Sequence, residues 1–255
     1  MGVRSELRHG DTELRLVLDQ PKGNILSRAL IRELAKALRP IGQSVGVKLV
    51  TIEGAGGHFS YGASIEEHRP GAIAEVLGEL HDLVRQMLAT PAPTAAIVRG
   101  KCLGAGFEVA LACDMVFAQV DAVLGVPEIV LGVFPPAASA LLPARVGQSR
   151  AAAAILTGQA LPASHWVEAG LIHLSAAGEE LDAAVDSWFE TNLAPRSAAA
   201  LGCAALATRR GLRNHVDVVL PELERFYLDT LMRTSDAVEG IEAFIGKRSP
   251  AWRHA

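Results

Sequence analysis

Two short glycine-rich stretches, FSYGAS at 59–64 and LGAG at 103–106, are the first candidates for chemistry in this sequence. Each leads directly into a helix-like run, and the first turn of a helix leaves backbone N–H groups without partners. Those N–H groups, together with the helix dipole, favour a negatively charged oxygen. Small residues let a ligand approach the backbone closely. If the two turns converge, their amides form an oxyanion hole, which stabilises negative charge developing on an oxygen atom.

Two glutamates lie in apolar surroundings. Glu108 occurs in GFEVALAC, directly after the second glycine turn, and Glu128 occurs in GVPEIVLGV, just after a proline. An unpaired buried carboxylate is costly, so a glutamate in such a place is usually paired or functional. A second interpretation stays open at this point, in which both side chains simply point to solvent at the ends of their elements.

The common nucleotide, hydrolase and metal motifs do not account for these residues. GAGFEV at 104–109 lacks the third glycine of a dinucleotide fingerprint, and a carboxylate there would repel a pyrophosphate. The sequence contains no G-x-x-x-x-G-K-[ST], G-x-S-x-G or H-E-x-x-H pattern. We expect His58 and His68, which flank the first glycine loop, to be solvated surface groups. No metal site is predicted.

Alternating strands and helices must position the two turns. Polar–apolar alternation and β-branched runs predict strands, whereas apolar residues at helical spacing predict helices. This alternation, which continues to about residue 190 with short loops, is typical of an α/β domain. The predicted strands are 12–18, 47–54 and 94–100, with shorter pieces in DMVFAQ and AVLGVPE, and the predicted helices are 27–38, a segment ending near Ala89, and GFEVALAC.

Two helix starts carry a capping-box pattern. SIEE pairs Ser64 with Glu67 and predicts a short helix that stops near Pro70, and DAVEG pairs Asp236 with Glu239. Beyond Pro195 the pattern is helical throughout, so we predict a core region over 1–195 and a helical region over 196–255. The apolar residues expected to form the buried stripe of the second region are Val219, Leu223, Phe226, Leu231, Val238, Ile241 and Phe244.

The composition argues against several classes of protein. With 24 basic and 28 acidic residues the net charge is -4, and no basic stripe suggests a nucleic-acid partner. No run of about 18 uncharged apolar residues predicts a membrane span. The first residues, MGVRSELRHGD, lack the apolar stretch of a signal peptide. Three cysteines without C-x-x-C spacing indicate reduced thiols, and we expect a cytoplasmic protein.

Five segments, in order along nearly the whole chain, resemble motifs of the crotonase, or enoyl-CoA hydratase/isomerase, family. LDQPKGNIL resembles L-x-x-P-x-x-N-A-L, and GGHFSYGASIEE resembles the F-x-x-G-A-D loop. IVRGKCLGAGFEVALACDMVFA resembles G-x-x-x-G-G-G-x-E-L-A-x-x-C-D, and LGVPEIVLGVFP resembles F-G-x-P-E-x-x-x-G-x-x-P. SDAVEGIEAFIGKRSPAW resembles the ending E-G-x-x-A-F-x-x-K-R-x-P-x-W. Each motif is only modestly specific, but five in the correct order make chance a poor explanation.

The resemblance implies a fold and a site. The fold would be an α/β spiral of ββα turns, with a helical C-terminal region that packs between subunits of a homotrimer or homohexamer. The substrate would be an acyl-CoA, so coenzyme A would arrive as part of the substrate, with no further cofactor and no metal. The thioester oxygen would be held by the backbone N–H groups of Ala63 and Ala105. Many relatives have glycine at the second position, so Ala105 is a small departure.

The two glutamates of the family fall on Glu108 and Glu128, and the presence of both resembles a hydratase. They would hold a water molecule beside the β-carbon of an unsaturated thioester. Two nearby carboxylates push their pKa values apart, which favours one protonated and one ionised group. The residues alone do not say which one holds the proton. The resemblance favours Glu128 as the acid and Glu108 as the base.

The resemblance also places the CoA portion of the substrate. It would lie along the turn at Asn24 and Ile25 and along the loop formed by Ala63, Ser64, Ile65 and Glu66. Lys247, from the same or a neighbouring subunit, would meet the nucleotide phosphates. An ordinary surface lysine is equally compatible with the sequence at that position.

Three departures from the family pattern point to an unusual acyl group. Ser64 replaces the aspartate of the G-A-D loop, Tyr61 is bulkier than usual, and Pro135-Pro136 replace a glycine-rich stretch in the acyl pocket wall. FSYGASIEEH and KGNIL look most like the branch that hydrates cyclohexa-1,5-diene-1-carbonyl-CoA in anaerobic aromatic degradation. That reaction would add water in a 1,4 sense and give a 6-hydroxycyclohexene carbonyl-CoA. The alternatives are a straight-chain 2-enoyl-CoA hydratase and an enoyl-CoA isomerase.

Overall fold

The computed structural model of the chain describes residues 2–43, 46–68 and 71–255, and nine strands in these ranges form two sheets. The larger sheet has six strands, all parallel to their neighbours except the first, and the smaller sheet has three. The strands are β1 (Gly2–Arg8), β2 (Glu13–Asp19), β3 (Leu49–Gly54), β4 (Thr94–Val98), β5 (Lys101–Leu103), β6 (Met115–Gln119), β7 (Val123–Gly125), β8 (Leu161–Pro162) and β9 (Leu174–Ala176).

The strand order places the glycine turns at a junction between the two sheets. The large sheet runs β1-β2-β3-β4-β6-β9, and the small sheet runs β5-β7-β8, with β5 and β7 parallel. Because β5 leads into the second glycine turn and β7 leads towards Glu128, their pairing brings these two stretches together. The strand β1 has no counterpart among the strands predicted from the sequence. It is an edge strand whose middle residues are exposed and mostly polar, so it lacks the alternation of a half-buried strand.

Nine α-helices occur in the described ranges, joined by four short 3₁₀ helices. The α/β class and the change to purely helical structure after residue 195 are confirmed. The α-helices are α1 (Arg28–Leu38), α2 (Ile73–Ala89), α3 (Ala105–Ala112), α4 (Pro136–Val146), α5 (Gln148–Thr157), α6 (Ala163–Glu168), α7 (Leu181–Asn192), α8 (Ala198–Asp229) and α9 (Ser235–Ile245). The 3₁₀ helices are Arg39–Gln43, Ile65–His68, Pro127–Leu131 and Leu231–Arg233.

The helix α3 lies in the middle of the main core. All eight of its residues are buried, which is why its sequence is apolar on every side apart from Glu108. The helix packs against α2 and α4, and both of these pack against the long helix α8. The stretch that carries Glu108 is therefore enclosed by helices on several sides, and Glu108 is buried.

A buried arginine on α8 joins this helix to the core through hydrogen bonds. The guanidinium of Arg209 is 3% exposed and donates to the carbonyl oxygens of Thr90 and Ala92, at 2.6 and 2.8 Å, and to the carboxylate of Asp114. A buried charge is tolerated when its donors are satisfied in this way. The helix continues past Pro221 and so reaches the neighbourhood of Glu108 and Glu128 with its last turns. The division into regions at residue 195 falls in the turn before α8 and stays a prediction.

The predicted apolar stripe of the C-terminal region is wrong at several positions. Phe226, Val238 and Phe244 are 55%, 37% and 56% exposed, and Tyr227, beside the predicted stripe, is buried. Ile241 is buried, as predicted. The predicted helical period is correct. The buried face of α8, however, lies about one residue away from the predicted face, because apolar residues occur on two adjacent faces of this helix. The exposed face is thus an apolar patch on the surface of the single chain.

The predicted capping box at Ser64 is wrong in its partner. A 3₁₀ helix does begin at Ile65, but the Ser64 hydroxyl contacts Glu66, and Glu67 instead accepts a hydrogen bond of 3.1 Å from the backbone N–H of Arg28. Glu67 therefore supports the start of α1 rather than its own helix. The predicted end of this helix near Pro70 lies outside the described residues.

The second capping box is also wrong. The N-cap of α9 is Thr234, whose hydroxyl oxygen accepts from the N–H of Ala237 at 3.2 Å. Asp236 instead accepts hydrogen bonds from the backbone N–H groups of Arg253 and His254, and so holds the C-terminal segment against the helix. No described helix is both long and apolar enough to cross a lipid bilayer.

Candidate active site

The first glycine loop is fixed on both sides by hydrogen bonds. On one side, the N–H of Leu103 donates to the carbonyl of Ser60 at 2.9 Å, which joins the loop to β5. On the other side, the N–H of Leu26 donates to the carbonyl of Gly62 at 2.9 Å. These bonds leave Ala63, the next residue, at the point where the loop turns towards the interior. The backbone N–H of Ala63 takes part in neither of these hydrogen bonds.

The second glycine turn touches the first. Gly104 has a φ of +51° and its N–H donates to the carbonyl of Gly125 at 2.9 Å, so the turn is attached to β7. A Cβ added at Gly62 would lie only 3.7 Å from the amide nitrogen of Ala105. The two turns are therefore neighbours in space although about 40 residues separate them in the sequence. Within the described residues neither Ala63 nor Ala105 uses its N–H in a hydrogen bond to a protein acceptor.

Glu108 projects from the first turn of α3 and is 3% exposed. Its Oε1 accepts a hydrogen bond of 2.8 Å from the backbone N–H of Ala138, in the first turn of α4. Burial raises the pKa of Glu108, and the Ala138 N–H and the nearby imidazole of His81 act in the opposite direction. The interpretation in which this side chain points to solvent is wrong.

Glu128 lies in the 3₁₀ helix Pro127–Leu131 and faces Glu108. The residue as a whole is partly exposed, but its Oε2 is buried and has no hydrogen-bond partner among the described residues. Burial, followed by the charge of Glu108, raises the pKa of Glu128 to about 8. Position 104 must be glycine for this arrangement, because a Cβ there would lie 2.7 Å from Oε1 of Glu128. The raised pKa favours the protonated form of Glu128 at neutral pH.

The predicted catalytic residues line one internal cavity. The cavity measures about 30 Å³, which is room for one or two water molecules. Its walls are otherwise mostly apolar, so charges and dipoles inside it are poorly screened. The lining residues are Ala63, His68, Val76, Leu77, Leu80, Ala105, Glu108, Glu128, Val133, Phe134, Pro135, Pro136 and Tyr227.

Tyr227 is a polar residue of the cavity that the sequence analysis missed. It lies on α8, is 1% exposed, and packs edge-on against Phe134 with ring centroids 5.4 Å apart. Burial, followed by the charges of Glu128 and Glu108, raises the pKa of its phenol well above the usual value, so the hydroxyl stays protonated and can donate. No local sequence pattern predicts Tyr227 in this cavity, because its position there depends on how α8 packs across the core.

His68 is the second cavity residue that was missed, and the expectation of a solvated surface histidine is wrong. Its Nδ1 lies 2.8 Å from the carbonyl oxygen of Ser64, and the residue is only partly exposed. Burial lowers the pKa of the ring, so the neutral form predominates, with Nδ1–H donating to Ser64. Nε2 is then a hydrogen-bond acceptor. By contrast, Nδ1 of His58 accepts from the N–H of Lys101, at 3.1 Å, away from the cavity.

Asn24, predicted to contact CoA, has a clear structural role. It is buried with a φ of +52°, and its side-chain amide donates to the carbonyl oxygens of Ala55 and His58, each at 2.9 Å. The Asn24 side chain thus ties its turn to the first glycine loop. A groove of about 400 Å³ beside this turn is lined by Gly23, Asn24 and Tyr61 among others. A contact between the turn and CoA stays a prediction, as does the contact assigned to Ile25.

The remaining residues predicted to contact CoA differ in their surroundings. Ser64 is buried, Ile65 is partly exposed and Glu66 is exposed, all directly after Ala63. Lys247 is exposed in the turn that follows α9, with a φ of +51°. It does not line the cavity or the groove beside Asn24. These four assignments stay predictions.

One group of potential metal ligands lies away from the cavity. His9, Glu13 and Asp186 place ligand atoms within 4.8 Å of one another. Arg8 donates to both carboxylates, at 3.3 and 2.8 Å, so the negative charge is already balanced by a cation. We interpret the group as an ion-pair network between the β1–β2 hairpin and α7.

Comparison with known proteins agrees with this geometry. A family model described as enoyl-CoA hydratase/isomerase matches residues 13–255. Among curated relatives, the cyclohexa-1,5-dienecarbonyl-CoA hydratase of Thauera aromatica is 43% identical, covering 94% of this chain and 93% of its own length. The 2,3-dehydroadipyl-CoA hydratase of Escherichia coli (strain K12) is 31% identical, covering 94% of each.

Solved structures give the same result. An enoyl-CoA hydratase from Mycobacterium avium subsp. paratuberculosis K-10 superposes with a TM-score of 0.87 at 31% identity, covering 99% of this chain and 98% of that one. An enoyl-CoA hydratase/isomerase from Xanthobacter autotrophicus Py2 gives a TM-score of 0.86 at 29% identity, covering 98% and 99%. The fold expected from the sequence motifs is confirmed.

Proposed function

The chain belongs to the enoyl-CoA hydratase/isomerase family and is a hydratase, and we propose that its substrate is cyclohexa-1,5-diene-1-carbonyl-CoA. The observation that carries the proposal is the shared cavity, in which two unused backbone amides and two carboxyl groups meet. The amides suit a thioester oxygen, and the carboxyl groups suit a water molecule and a proton for carbon. The 43% identity to the Thauera aromatica enzyme supports the choice of acyl group.

The reaction begins with the water molecule. The Glu108 carboxylate accepts a proton from water as the water oxygen bonds to the ring carbon β to the thioester carbonyl. The electrons of the conjugated system move towards the thioester oxygen, where the N–H groups of Ala63 and Ala105 stabilise the extended enolate. Loss of one such donor typically costs about 100- to 1000-fold in rate.

Protonation of carbon completes the addition. Glu128, held in its acid form, delivers its proton to the far end of the second double bond while the enolate electrons return to form a new C=C conjugated with the thioester. The hydroxyl group and the added hydrogen then stand in a 1,4 relationship, and the product is a 6-hydroxycyclohexene carbonyl-CoA. One water molecule is consumed, and a proton returns from Glu108 to Glu128 before the next turnover.

The walls of the cavity support a compact acyl group. Pro135 and Pro136 form a stiff segment at the entry to α4, and Phe134 packs against Tyr227 across from the glutamates. A volume of about 30 Å³ is far below that of typical ligand pockets, about 300–1,000 Å³. A six-membered ring therefore fits only if the cavity widens when the substrate binds.

The CoA portion and the assembly are further parts of the proposal. CoA extends along the Asn24–Ile25 turn and the Ala63–Glu66 loop, with Lys247 of the same or a neighbouring subunit at the phosphates. The exposed apolar residues Phe226 and Phe244 support assembly into a homotrimer or homohexamer, which would cover them. We also propose that the enzyme works in the cytoplasm.

A comparison of two substrates tests the proposal. The protein is incubated separately with cyclohexa-1,5-diene-1-carbonyl-CoA and with crotonyl-CoA, and the absorbance change is followed together with the mass of the product. A mass gain of one water with the cyclic substrate, at a kcat/KM well above that for crotonyl-CoA, is the expected result. Hydration of crotonyl-CoA alone would replace the proposed substrate with a straight-chain 2-enoyl-CoA. Isomerisation without a mass gain would contradict the proposed reaction.

A further inference from the structure

The phenol hydroxyl of Tyr227 is a polar group of the cavity for which the proposed reaction has no role so far. The residue is 1% exposed. In the part of the chain that the structure describes, no hydrogen bond joins this hydroxyl to another protein group. Because polar groups inside proteins are nearly always hydrogen-bonded, the partner of this hydroxyl has to come from the contents of the cavity.

The ring of Tyr227 has a fixed place in the cavity wall. It packs edge-on against the ring of Phe134, with centroids 5.4 Å apart and planes at 68°. The helix α8 that carries it is joined to the core through Arg209. The ring also belongs to a cluster of buried residues, whose other members are Ile73, Val76, Leu77, Val133, Ala237 and Ile241. The ring is therefore held in one place, as a residue that positions a reactant must be.

The cavity brings Tyr227 and the two carboxyl groups to the same small space. Tyr227, Glu108 and Glu128 all line it, and its volume of about 30 Å³ holds one or two water molecules. Oε2 of Glu128 is also buried and without a hydrogen-bond partner among the described residues. A buried water molecule usually makes about three hydrogen bonds. One water molecule in this cavity can therefore satisfy the carboxyl groups and the phenol together.

The other donors of the cavity are engaged elsewhere during the reaction. In the proposed function, the N–H groups of Ala63 and Ala105 bind the thioester oxygen, and the proton of Glu128 goes to carbon. The lowered pKa of His68 keeps its ring neutral, and Nδ1–H donates to a backbone carbonyl, so this ring offers only an acceptor. Among the lining side chains, the hydroxyl of Tyr227 is the donor left for the oxygen of the water molecule.

We propose that Tyr227 is a third catalytic residue of the hydration, whose hydroxyl donates a hydrogen bond to the oxygen of the water molecule that Glu108 deprotonates. This bond occupies one lone pair of the water and leaves the other directed at the substrate. One proton passes from water to Glu108 and the water oxygen bonds to carbon, while the O–H bond of Tyr227 stays intact. The hydrogen bond is then made to the new hydroxyl group of the product.

The inference deepens the proposed function and rests on it, because it assumes that the added water is bound beside Glu108. Tyr227 lies outside the five segments that resemble motifs of the family. A purely structural role is the alternative, in which the ring only fills space against Phe134 and the hydroxyl does nothing. The two roles differ in what the removal of one oxygen atom changes.

Tyr227→Phe removes that oxygen and retains the ring. The hydroxyl has no partner among the described residues, so we expect Tm to stay the same or to rise. Loss of the hydrogen bond to the reacting water should lower kcat about 10- to 100-fold. KM should stay unchanged, because the bond is not made to the acyl-CoA. The assay uses whichever enoyl-CoA the protein hydrates best, so the identity of the natural acyl group does not affect the comparison.

The matched control is Thr208→Val, which removes a hydroxyl from the same helix. The Thr208 hydroxyl donates to the carbonyl oxygen of Ala205 at 3.0 Å and does not line the cavity. We expect this variant to keep the kcat of the unchanged enzyme. A kcat for Tyr227→Phe within about twofold of the unchanged value would overturn the inference and leave Tyr227 as a wall residue.

A crystal structure of the resting protein supplies a readout that needs no substrate. The expected result is an ordered water molecule within about 3.2 Å of both Oη of Tyr227 and a carboxyl oxygen of Glu108. In Tyr227→Phe this water should be displaced or lost. A distance of more than about 4 Å between Oη and every cavity water would overturn the inference. Failure of the proposed acyl group would leave this water in place, so the two failures are distinguishable.

Discussion

The backbone N–H of Ala138 donates a hydrogen bond of 2.8 Å to Oε1 of Glu108, within the first turn of α4. This bond and the dipole of α4 stabilise the ionised form of Glu108. Oε2 of Glu128 is buried and has no partner among the described residues, so its charged form is not stabilised there. The two carboxyl groups therefore differ in the way that acid and base roles require, and this difference supports the roles proposed here.

Replacement of Glu128 by glutamine removes the proton donor and keeps the size of the side chain. We expect kcat for hydration to fall by about 10²- to 10⁴-fold, the usual contribution of a general acid, while the acyl-CoA still binds. Stopped-flow hydration assays and calorimetric titration with acyl-CoA provide the measurements. Glu168→Gln on α6, which removes an exposed carboxylate far along the chain, is the control and should retain its activity. A Glu128→Gln enzyme with nearly full kcat would remove Glu128 from the mechanism.

The pH profile of kcat/KM should be bell-shaped, because the active form has Glu108 ionised and Glu128 protonated. Activity is lost as the pH falls and Glu108 takes up a proton. It is also lost as the pH rises through the pKa of Glu128, so the alkaline limb should lie near pH 8. A profile that stays flat from pH 7 to about pH 10 would show that no proton on Glu128 is needed.

The same raised pKa makes the stability of the protein depend on pH. Folding raises the pKa of Glu128 from 4.5 to about 8, so the folded state binds the proton more tightly than the unfolded state. The contribution of Glu128 to the free energy of unfolding therefore decreases as the pH rises from about 4.5 to about 8. Above about pH 8 this contribution no longer changes. We expect Glu128→Gln to raise Tm at pH 9, by about 2–4 °C for each kcal/mol gained, and to leave it nearly unchanged at pH 4. Equal Tm differences at both pH values would contradict the assignment.

The oxyanion hole can be tested at one backbone atom. Ala105 is the first residue of α3, a position at which proline is well tolerated because that N–H has no partner within the helix. Ala105→Pro removes the N–H, and we expect kcat to fall about 100- to 1000-fold with the fold retained by circular dichroism. Ala105→Gly keeps the N–H and should stay within about tenfold of the unchanged enzyme. Equal activity of the two variants would mean that this amide does not stabilise the transition state.

The sequence was most informative where chemistry depends on short, local patterns. Ala63, Ala105, Glu108 and Glu128 lie in or next to glycine turns whose tight backbone restricts the residue types, and all four meet at the cavity. Tyr227 and His68 reach the same cavity only through long-range packing, which leaves no local pattern in the sequence. The two predicted capping boxes are wrong for a related reason, since long-range contacts take up their acidic side chains. The carboxylate of Glu67, for example, accepts from the backbone N–H of Arg28 in α1, 39 residues earlier in the chain.

The predicted helical periodicity of the C-terminal region is correct, but the prediction of which residues are buried is wrong at several positions. A period of 3.6 residues locates an apolar face, yet α8 carries apolar side chains on two faces, and packing against α2 and α4 selected the face with Tyr227. Phe226, on the other face, is left 55% exposed. Which face is buried depends on the whole assembly of helices, and the sequence of α8 alone does not contain that information.

The most direct test of the account is a crystal structure of the Glu128→Gln enzyme with cyclohexa-1,5-diene-1-carbonyl-CoA bound. The account predicts a thioester oxygen within about 3.2 Å of the amide nitrogens of both Ala63 and Ala105, with the ring facing Glu108 and residue 128. A thioester oxygen more than about 4 Å from either amide, or an acyl group bound outside this cavity, would contradict it.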